Sequence, residues 1–177
     1  MSSENPSGGD NQQETIRATT PLHPAWVVGF VDGEGCFSVS IHRNPHVRRT
    51  RGWQVNPVFQ VSQHQLHMEV LEDLRDHFGC GKVRGKGPAS TVMVYAVDRL
   101  ADLEAVVLPF FEANPLRVKA GDFEAFAAIV RSLRSKQHFT SEGFERVIRL
   151  AYSMNMNGKQ RSRTLEEVLV GSSETTR

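Results

Sequence analysis

The sequence predicts an α+β domain in which helices cover one face of a single antiparallel sheet. Two pairs of strand-like segments alternate with segments of helical apolar spacing, and the strand pairs are basic whereas the helices between them are acidic. The predicted order is one helix, two strands, a second helix, two more strands and further helices. Because the helices cover one face of such a sheet, we expect the other face to be polar and exposed.

Length and composition are those of one globular domain. The 177 residues are 39% apolar and 23% charged, which suffices for a hydrophobic core. We predict a disordered tail at 1–21, one domain at 22–170 and a flexible tail at 171–177. Cys36 and Cys80 have no metal-ligand spacing, and we expect both to be reduced thiols.

The predicted location is intracellular. Residues 1–21 lack the apolar core of a secretory signal and the arginine-rich pattern of a transit peptide. The apolar stretches are far shorter than the roughly 20 residues that cross a bilayer. We therefore expect a protein that is not secreted, has no membrane partner and works in a bacterial cytoplasm, a chloroplast or a mitochondrion.

Apolar residues recur at helical spacing in four segments after the first helix. The predicted helices cover 66–78, 100–110, 123–133 and 144–151. Period-two alternation predicts the first two strands, at 36–42 and 54–61, with Pro57 as an edge or an irregularity. The segments "KVRGKG" and "STVMVYAV" are interpreted as a hairpin in which Val92, Val94 and Ala96 face inward.

Acids are absent from both strand pairs. No Asp or Glu occurs between Gly35 and Met68 or between Gly79 and Val97, although both stretches contain several cations. The major groove of DNA admits a β-ribbon, and Gln, Asn, Arg and Lys bind its base edges. An exposed antiparallel face is polar in many proteins, so composition alone leaves nucleic-acid binding and an ordinary solvated face both open.

The segment "WVVGFVDGEGCFSVSI" joins the first helix to the first strand. Gly29 and Gly33 are four residues apart, so they share a helical face that another helix backbone can approach closely. Asp32 and Glu34 lie at the carboxyl end of that helix, where the helix dipole disfavours acids. We interpret Asp32 as a turn or cap partner. Glu34 is either an exposed turn carboxylate or a hard oxygen ligand for Mg²⁺.

Residues 27–35, "VVGFVDGEG", resemble the nine-residue signature of the LAGLIDADG homing endonucleases, with Glu34 in place of the final Asp. The element order over 22–170 is similar to the αββαββα core of that family, with a twisted, saddle-like DNA-binding sheet and extra C-terminal helices. The resemblance implies an endodeoxyribonuclease that makes a metal-dependent double-strand break in a long pseudo-palindromic target. Such cleavage promotes the mobility of a host intron or intein.

The resemblance also implies the site residues. Glu34 and the backbone carbonyl of Gly33 match metal ligands, Gln63 matches a residue that orients the attacking water, and Lys119 matches a lysine near the scissile phosphate. Each of the last two, taken alone, would be an ordinary polar residue at the end of a strand or the start of a helix. The expected cofactor is Mg²⁺, with Mn²⁺ as a substitute and Ca²⁺ supporting DNA binding without cleavage.

The number of signature acids in the chain predicts a homodimer. The sequence contains one copy of the signature and therefore one such acid, whereas cutting both strands of a duplex needs two. We expect two-fold pairing through the first helix, and hence a pseudo-palindromic target. The predicted interface residues are Val28, Gly29, Asp32 and Gly33.

The predicted DNA contacts fall into three groups. Base-edge contacts are expected from alternate positions of the strands: Ser38, Ser40, His42, Asn44, Gln54, Asn56, Gln60, Lys82, Arg84, Lys86, Thr91 and Met93. The loop cations Arg48, Arg49 and Arg51 are expected at outer bases or the backbone. The cluster Lys159, Arg161 and Arg163 is expected at phosphates, where it adds affinity without sequence information.

Two other functions stay open at this point. A DNA-binding regulator with the same fold would bind a site without cutting it. An RNA maturase would bind host intron RNA and assist its splicing. Matches at Glu34, Gln63 and Lys119 favour cleavage over both.

Overall fold

The computed structural model of the chain describes residues 21–50, 52–154 and 163–170. Its first half has helix α1, strands β1 and β2, a 3₁₀ turn, helix α2 and strands β3 and β4. Their bounds are α1 Pro24–Glu34, β1 Gly35–Arg43, β2 Trp53–His64, the turn Gln65–His67, α2 Met68–Phe78, β3 Lys82–Gly85 and β4 Val92–Val97. The second half is helical: α3 Leu100–Asp102, a π-helical turn Leu103–Val107, α4 Leu108–Ala113, α5 Ala120–Arg134, a 3₁₀ turn Gln137–Phe139, α6 Ser141–Ser153 and α7 Leu165–Val170.

The four strands form one antiparallel sheet in the order β1-β2-β4-β3. Helices α1, α2 and α5 contact the strands and cover one face. Pro57 lies in the part of β2 that pairs with β1 but not with β4, in agreement with the predicted edge position. The predicted α+β class and element order are confirmed.

Aromatic side chains fill the space between the sheet and the helices. Phe37 of β1 stacks on Phe59 of β2, with ring centroids 5.2 Å apart. Phe111 of α4 and Phe123 of α5 present their edges to Phe37 at 5.5 and 5.4 Å. These rings are almost completely buried. Edge-to-face contacts of this kind add to the area burial that holds α4 and α5 on the sheet.

A second, smaller core lies under the outer end of the β1–β2 pair. Trp53, the first residue of β2, packs there with Phe144 and Ile148 of α6 and Val168 of α7. The guanidinium carbon of Arg43 lies 4.1 Å from the centroid of the Trp53 ring. The last two helices therefore hold the end of the hairpin that is farthest from α1.

The side chains of β4 point to the opposite faces from those that the sequence predicted. Tyr95 and Val97 belong to the main core and Met93 packs against it, so Val92, Val94 and Ala96 point to the opposite face. The predicted inward set was wrong by one residue. Every residue of "VMVYAV" is apolar, so the segment has no alternation that could fix its register, and pairing with β2 decides it.

Leu66 also differs from its predicted role. Helical spacing assigned it to the apolar face of α2, but it lies in the preceding 3₁₀ turn and is 77% exposed. The His64 side chain accepts the N–H of Leu66 at 3.3 Å and stabilises that turn. Helix α2 begins only at Met68.

Among the described residues, no helix has the length and apolar character needed to cross a membrane. The predicted tails lie outside the described residues, apart from Pro21. The domain limits at 22 and 170 stay predictions.

Candidate active site and nucleic-acid interface

The chain turns directly from α1 into β1 at Gly35. A Cβ atom at this position would lie 2.7 Å from both the carbonyl oxygen and Cγ1 of Val31, so only glycine fits. Val27 and Val31 anchor the helix in the core. Glu34, the last residue of α1, is therefore held at a fixed and exposed position beside the start of the sheet.

Asp32 ties the end of α1 to the segment that precedes α5. Its carboxylate accepts three consecutive backbone N–H groups, from Arg117 at 2.8 Å, Val118 at 3.2 Å and Lys119 at 3.1 Å. Burial raises the pKa of Asp32, but these hydrogen bonds lower it by more, and the net pKa is below its usual value. Asp32 was predicted to be a local turn or cap partner, whereas it binds the backbone of a segment 85 residues away in the chain.

The hydrogen bonds to Asp32 place Lys119 next to the predicted metal ligands. The Lys119 Nζ donates to the carbonyl oxygen of Asp32 and, at 3.3 Å, to that of Gly33. Glu34 follows Gly33 directly in the chain. The structure therefore brings Glu34, Gly33 and Lys119 together at one end of the sheet.

Gln63 lies at the same end of the sheet but does not join this group. Gly35 pairs with Val61, so Gln63 extends beyond the start of β1. Its Oε1 accepts the N–H of His64 at 2.9 Å. Within the described part of the chain, no hydrogen bond connects Gln63 to Glu34 or Lys119.

The donor set suits a hard divalent cation. Glu34 offers an exposed carboxylate, and the carbonyl oxygens of Asp32 and Gly33 already receive a cationic group, the Lys119 ammonium. In the described residues, no three side chains of His, Cys, Asp or Glu converge to form a metal site. Hard cations also accept water and backbone oxygens as ligands.

The sheet face turned away from the helices, called here the open face, carries most predicted base contacts. Cross-strand pairing places His42 beside Gln54, Ser40 beside Asn56, and Cys36 beside Gln60. The row of Gln60 continues across Ala96 to Lys82, and the next row joins Ser62, Val94 and Arg84. The members of the open face are Cys36, Ser38, Ser40, His42, Gln54, Asn56, Val58, Gln60, Ser62, Lys82, Arg84, Val92, Val94 and Ala96.

Three amides at the outer end of this face are linked. Asn44 Nδ2 donates to Gln54 Oε1 at 2.6 Å, and Gln54 Nε2 donates to Asn56 Oδ1 at 3.0 Å. The Oδ1 of Asn44 accepts the N–H of His46 at 3.1 Å. The orientation of each amide is therefore set by its neighbour.

Cations of the open face and acids of the helices are segregated. The described ion pairs use arginines outside the strands, such as Arg131 with Glu112 and Arg134 with Glu104. Lys82 and Arg84 have no carboxylate partner among the described residues, and both are exposed. The open face is thus available to a polyanion.

The remaining predicted contacts have different positions. Lys86, Thr91 and Arg48 are exposed in loops next to the strands. Arg49 lies over Phe139 at 5.1 Å, and Arg163 lies over Trp53 at 5.5 Å. Arg51, Lys159 and Arg161 lie outside the described residues. Met93 packs against the core, so its predicted position on the open face was wrong, for the same reason as that of Val92 and its neighbours.

Six members of the open face were not among the predicted base contacts: Cys36, Val58, Ser62, Val92, Val94 and Ala96. Burial raises the pKa of the Cys36 thiol and Asp122 raises it further, against the opposing effects of Lys119, Gln60 and Lys86, so the thiol is protonated. The alternation of β1 contained the signal for Cys36, which precedes Ser38 by two residues. The uniform apolar run of β4 contained no such signal for Val94.

Comparisons with known proteins agree with this geometry. A family model described as LAGLIDADG endonuclease matches residues 27–130. The homing endonuclease I-ApeII of Aeropyrum pernix is 34% identical over 153 residues, which are 84% of this chain and 89% of that protein. The probable intron-encoded endonuclease 3 of Neurospora crassa is 30% identical over 144 residues, which are 80% of this chain. The matched part is 26% of that longer protein.

Solved structures share the fold. The homing endonuclease I-TnaI is 37% identical with a TM-score of 0.75, over 85% of this chain and 98% of that one. I-SmaMI, bound to an uncleaved DNA target in the presence of calcium ions, is 30% identical with a TM-score of 0.76. The match covers 84% of this chain and 49% of I-SmaMI. The resemblance seen in the sequence is confirmed: the chain belongs to the LAGLIDADG endonuclease family.

Proposed function

We propose that the protein is a site-specific homing endonuclease that makes a metal-dependent double-strand break in a long pseudo-palindromic DNA target. The observation that carries this proposal is the hydrogen bond from Lys119 to the carbonyl of Gly33, the residue before Glu34, at one end of an acid-free open face. The reactive groups and the recognition surface would then share one frame. Cleavage of an allele that lacks the host intron or intein would promote the mobility of that element.

Glu34 and the carbonyl oxygen of Gly33 would hold the divalent cation, which we propose to be Mg²⁺. Both are hard oxygen ligands, and the Glu34 carboxylate is exposed. A cation bound there supplies Lewis-acid polarisation of a phosphate oxygen. Mn²⁺ has the same ligand preference, so it should substitute, and Ca²⁺ should support binding without cleavage.

Lys119 and Gln63 would act on the phosphate from the protein side. The Lys119 ammonium stands at the end of α1, where it can neutralise negative charge that develops on the phosphate. Gln63 extends past the start of β1 at the same end of the sheet, where its amide can orient a water molecule. Its present hydrogen bond to the N–H of His64 uses only one lone pair of Oε1.

A homodimer through α1 is supported by two glycines that the single chain does not need. A Cβ atom at Gly29 or Gly33 would meet nothing within 4 Å, yet glycine inside a helix costs about 0.5–1 kcal/mol relative to alanine. A second backbone approaching this face explains both residues. Val28 is partly exposed beside them, and the adjacent Val118 is 81% exposed.

Contacts to the DNA would divide by position. The open face would bind base edges in the major groove, and the exposed cations around it would bind phosphates. Arg163, fixed over Trp53, is the described member of the C-terminal cluster assigned to phosphates. An intracellular location stays the prediction of the sequence.

The test is selection from a randomised duplex library with the purified protein and with Glu34→Gln, in Mg²⁺ and then in Ca²⁺. Sequencing of the bound and cut pools should show one long pseudo-palindrome that only the wild type cuts, and only with Mg²⁺. Glu142→Gln removes an exposed carboxylate from α6 and should cut like the wild type. A bound pool without cuts would instead support a regulator, and enrichment of intron RNA over duplex DNA would support a maturase.

A further inference from the structure

Asp32 links two distant parts of the chain at the site. Its two carboxylate oxygens accept the N–H groups of Arg117, Val118 and Lys119, three residues in succession. A carboxylate that collects several backbone N–H groups is held firmly, because hydrogen bonds to a charged acceptor are stronger than neutral ones. The backbone of Lys119 is therefore fixed relative to the end of α1.

The side chain of Lys119 returns to the same helix end. Its ammonium donates to the carbonyl oxygens of Asp32 and Gly33. Carbonyl groups in the last turn of a helix lack intrahelical partners and carry partial negative charge, so they attract a cation. In the proposed function, the carbonyl oxygen of Gly33 is also a ligand of the divalent cation, together with the Glu34 carboxylate.

We propose that Asp32 is a positioning residue that holds the Lys119 ammonium on these carbonyl oxygens, where it competes with a divalent cation. The ammonium at Gly33 would then compete with a divalent cation for this oxygen, and an ammonium released from Gly33 would be available to the phosphate. This inference rests on the proposed function for the place of the metal. It assigns to Asp32 a role beyond the helix interface predicted from the sequence.

If the ammonium competes with the cation, removal of Asp32 should change the affinity for the cation in the direction opposite to the one that charge alone predicts. Removal of the Asp32 carboxylate takes a negative charge away from a cation site, which by charge alone weakens cation binding. If Asp32 holds a competing ammonium in place, the same removal frees the carbonyl oxygens and strengthens binding. A competitor that occupies the site lowers the apparent affinity in proportion to the fraction of the site that is closed.

The experiment measures Mn²⁺ binding to the full chain by electron paramagnetic resonance of the unbound ion at constant ionic strength. The variants are Asp32→Ala, Lys119→Met and their combination. Glu124→Ala, which removes an exposed carboxylate from α5, is the charge control for Asp32. Lys86→Met, which removes an exposed lysine from the loop next to β3, is the charge control for Lys119.

We expect Asp32→Ala and Lys119→Met each to bind Mn²⁺ at least about fivefold more tightly than the wild type. Lys86→Met should give a smaller gain, and Glu124→Ala no gain. The combined variant should bind no more tightly than Lys119→Met alone, because both changes remove the same competitor. In cleavage assays, Asp32→Ala should lower kcat with little change in KM.

Weaker Mn²⁺ binding by Asp32→Ala, or a gain for Lys119→Met no larger than that for Lys86→Met, would overturn the inference. Failure of every variant to bind Mn²⁺ would overturn it as well. Circular dichroism shows whether Asp32→Ala folds, and if it does not, the two lysine variants decide. A wild type that never cuts DNA removes the nuclease proposal, but the Mn²⁺ titration still tests the displacement.

Discussion

Asn44 donates its side-chain N–H to the amide oxygen of Gln54 at 2.6 Å, across the open end of the β1–β2 pair. Gln54 in turn donates its side-chain N–H to the amide oxygen of Asn56 at 3.0 Å. An amide with both of its ends engaged cannot reverse its oxygen and nitrogen without losing two hydrogen bonds. If these amides bind base edges as proposed, we expect them to do so as one linked group.

The first prediction is that recognition by these amides is not additive. In Asn44→Ala, Gln54 loses the donor that fixes its orientation, so preferences should change at the base pairs next to Gln54 as well as at the one next to residue 44. Selection from a duplex library measures these preferences. Ser40→Ala alters an exposed side chain that lies outside the linked amides and should change one position only. Equally local effects of the two variants would contradict the linkage.

The second prediction concerns the glycines of α1. Gly29→Ala should stabilise the isolated chain by about 0.5–1 kcal/mol, because alanine restricts the unfolded state and meets no atom within 4 Å in the fold. The same methyl group should weaken dimerisation at least tenfold. Denaturant unfolding at low concentration and sedimentation analysis measure the two effects. Gly121→Ala, at another open glycine in a helix, should leave dimerisation unchanged, and an unchanged Gly29→Ala dimer would exclude α1 as the interface.

The third prediction is a change in base preference at the open face. Arg84→Ala should relax the preference at the base pair next to Arg84 and leave the slope of log K against log salt unchanged, as expected for the loss of a base-edge contact. A slope reduced by about 1 with an unchanged base preference would instead place Arg84 at a phosphate. Arg134→Ala removes the α5 arginine that pairs with Glu104, and it should alter neither quantity.

The fourth prediction concerns the two tryptophans. Trp53 is 1% exposed and holds the outer end of the hairpin against α6 and α7, so Trp53→Ala should destabilise the fold by about 3–5 kcal/mol. Trp26 is 43% exposed on α1, and Trp26→Ala should cost the single chain less than about 1 kcal/mol. Denaturant midpoints of both variants provide the comparison. Similar losses would mean that the second core adds little stability.

The fifth prediction is a loss of stability in weak acid. His77 packs edge-on against Phe78 and Phe110, and burial lowers its pKa below the usual value of 6.5. The unfolded chain therefore binds a proton more readily, so this contribution to stability is complete above pH 6.5 and is lost as the pH falls through the folded pKa.

Unfolding free energies measured from about pH 8 to about pH 5 should decrease less steeply for His77→Gln than for the wild type. His67→Gln changes an exposed histidine and should retain the wild-type slope. An identical slope for His77→Gln would assign the acid sensitivity to other groups.

Local patterns explain which parts of the fold were predictable. Alternation in "CFSVSIH" set the facing of β1, because polar and apolar residues differ at every step. The apolar spacing of α5 and α6 likewise set their buried sides. In β4, where all residues are apolar, Tyr95 and Val97 face the core only because hydrogen bonding to β2 requires it. Leu66 has helical spacing, but it lies in a 3₁₀ turn in which its N–H donates to the His64 side chain.

By itself, the sequence determined the element order, the acid-free open face and the turn that exposes Glu34, because each depends on residues close together in the chain. Only the tertiary structure decided that Asp32 binds the backbone of a segment 85 residues away and that Lys119 donates to the carbonyl of Gly33. It also decided that, within the described ranges, no hydrogen bond connects Gln63 to Glu34 or Lys119. Such contacts form when α5 packs on β1, and their partners cannot be identified from local periodicity.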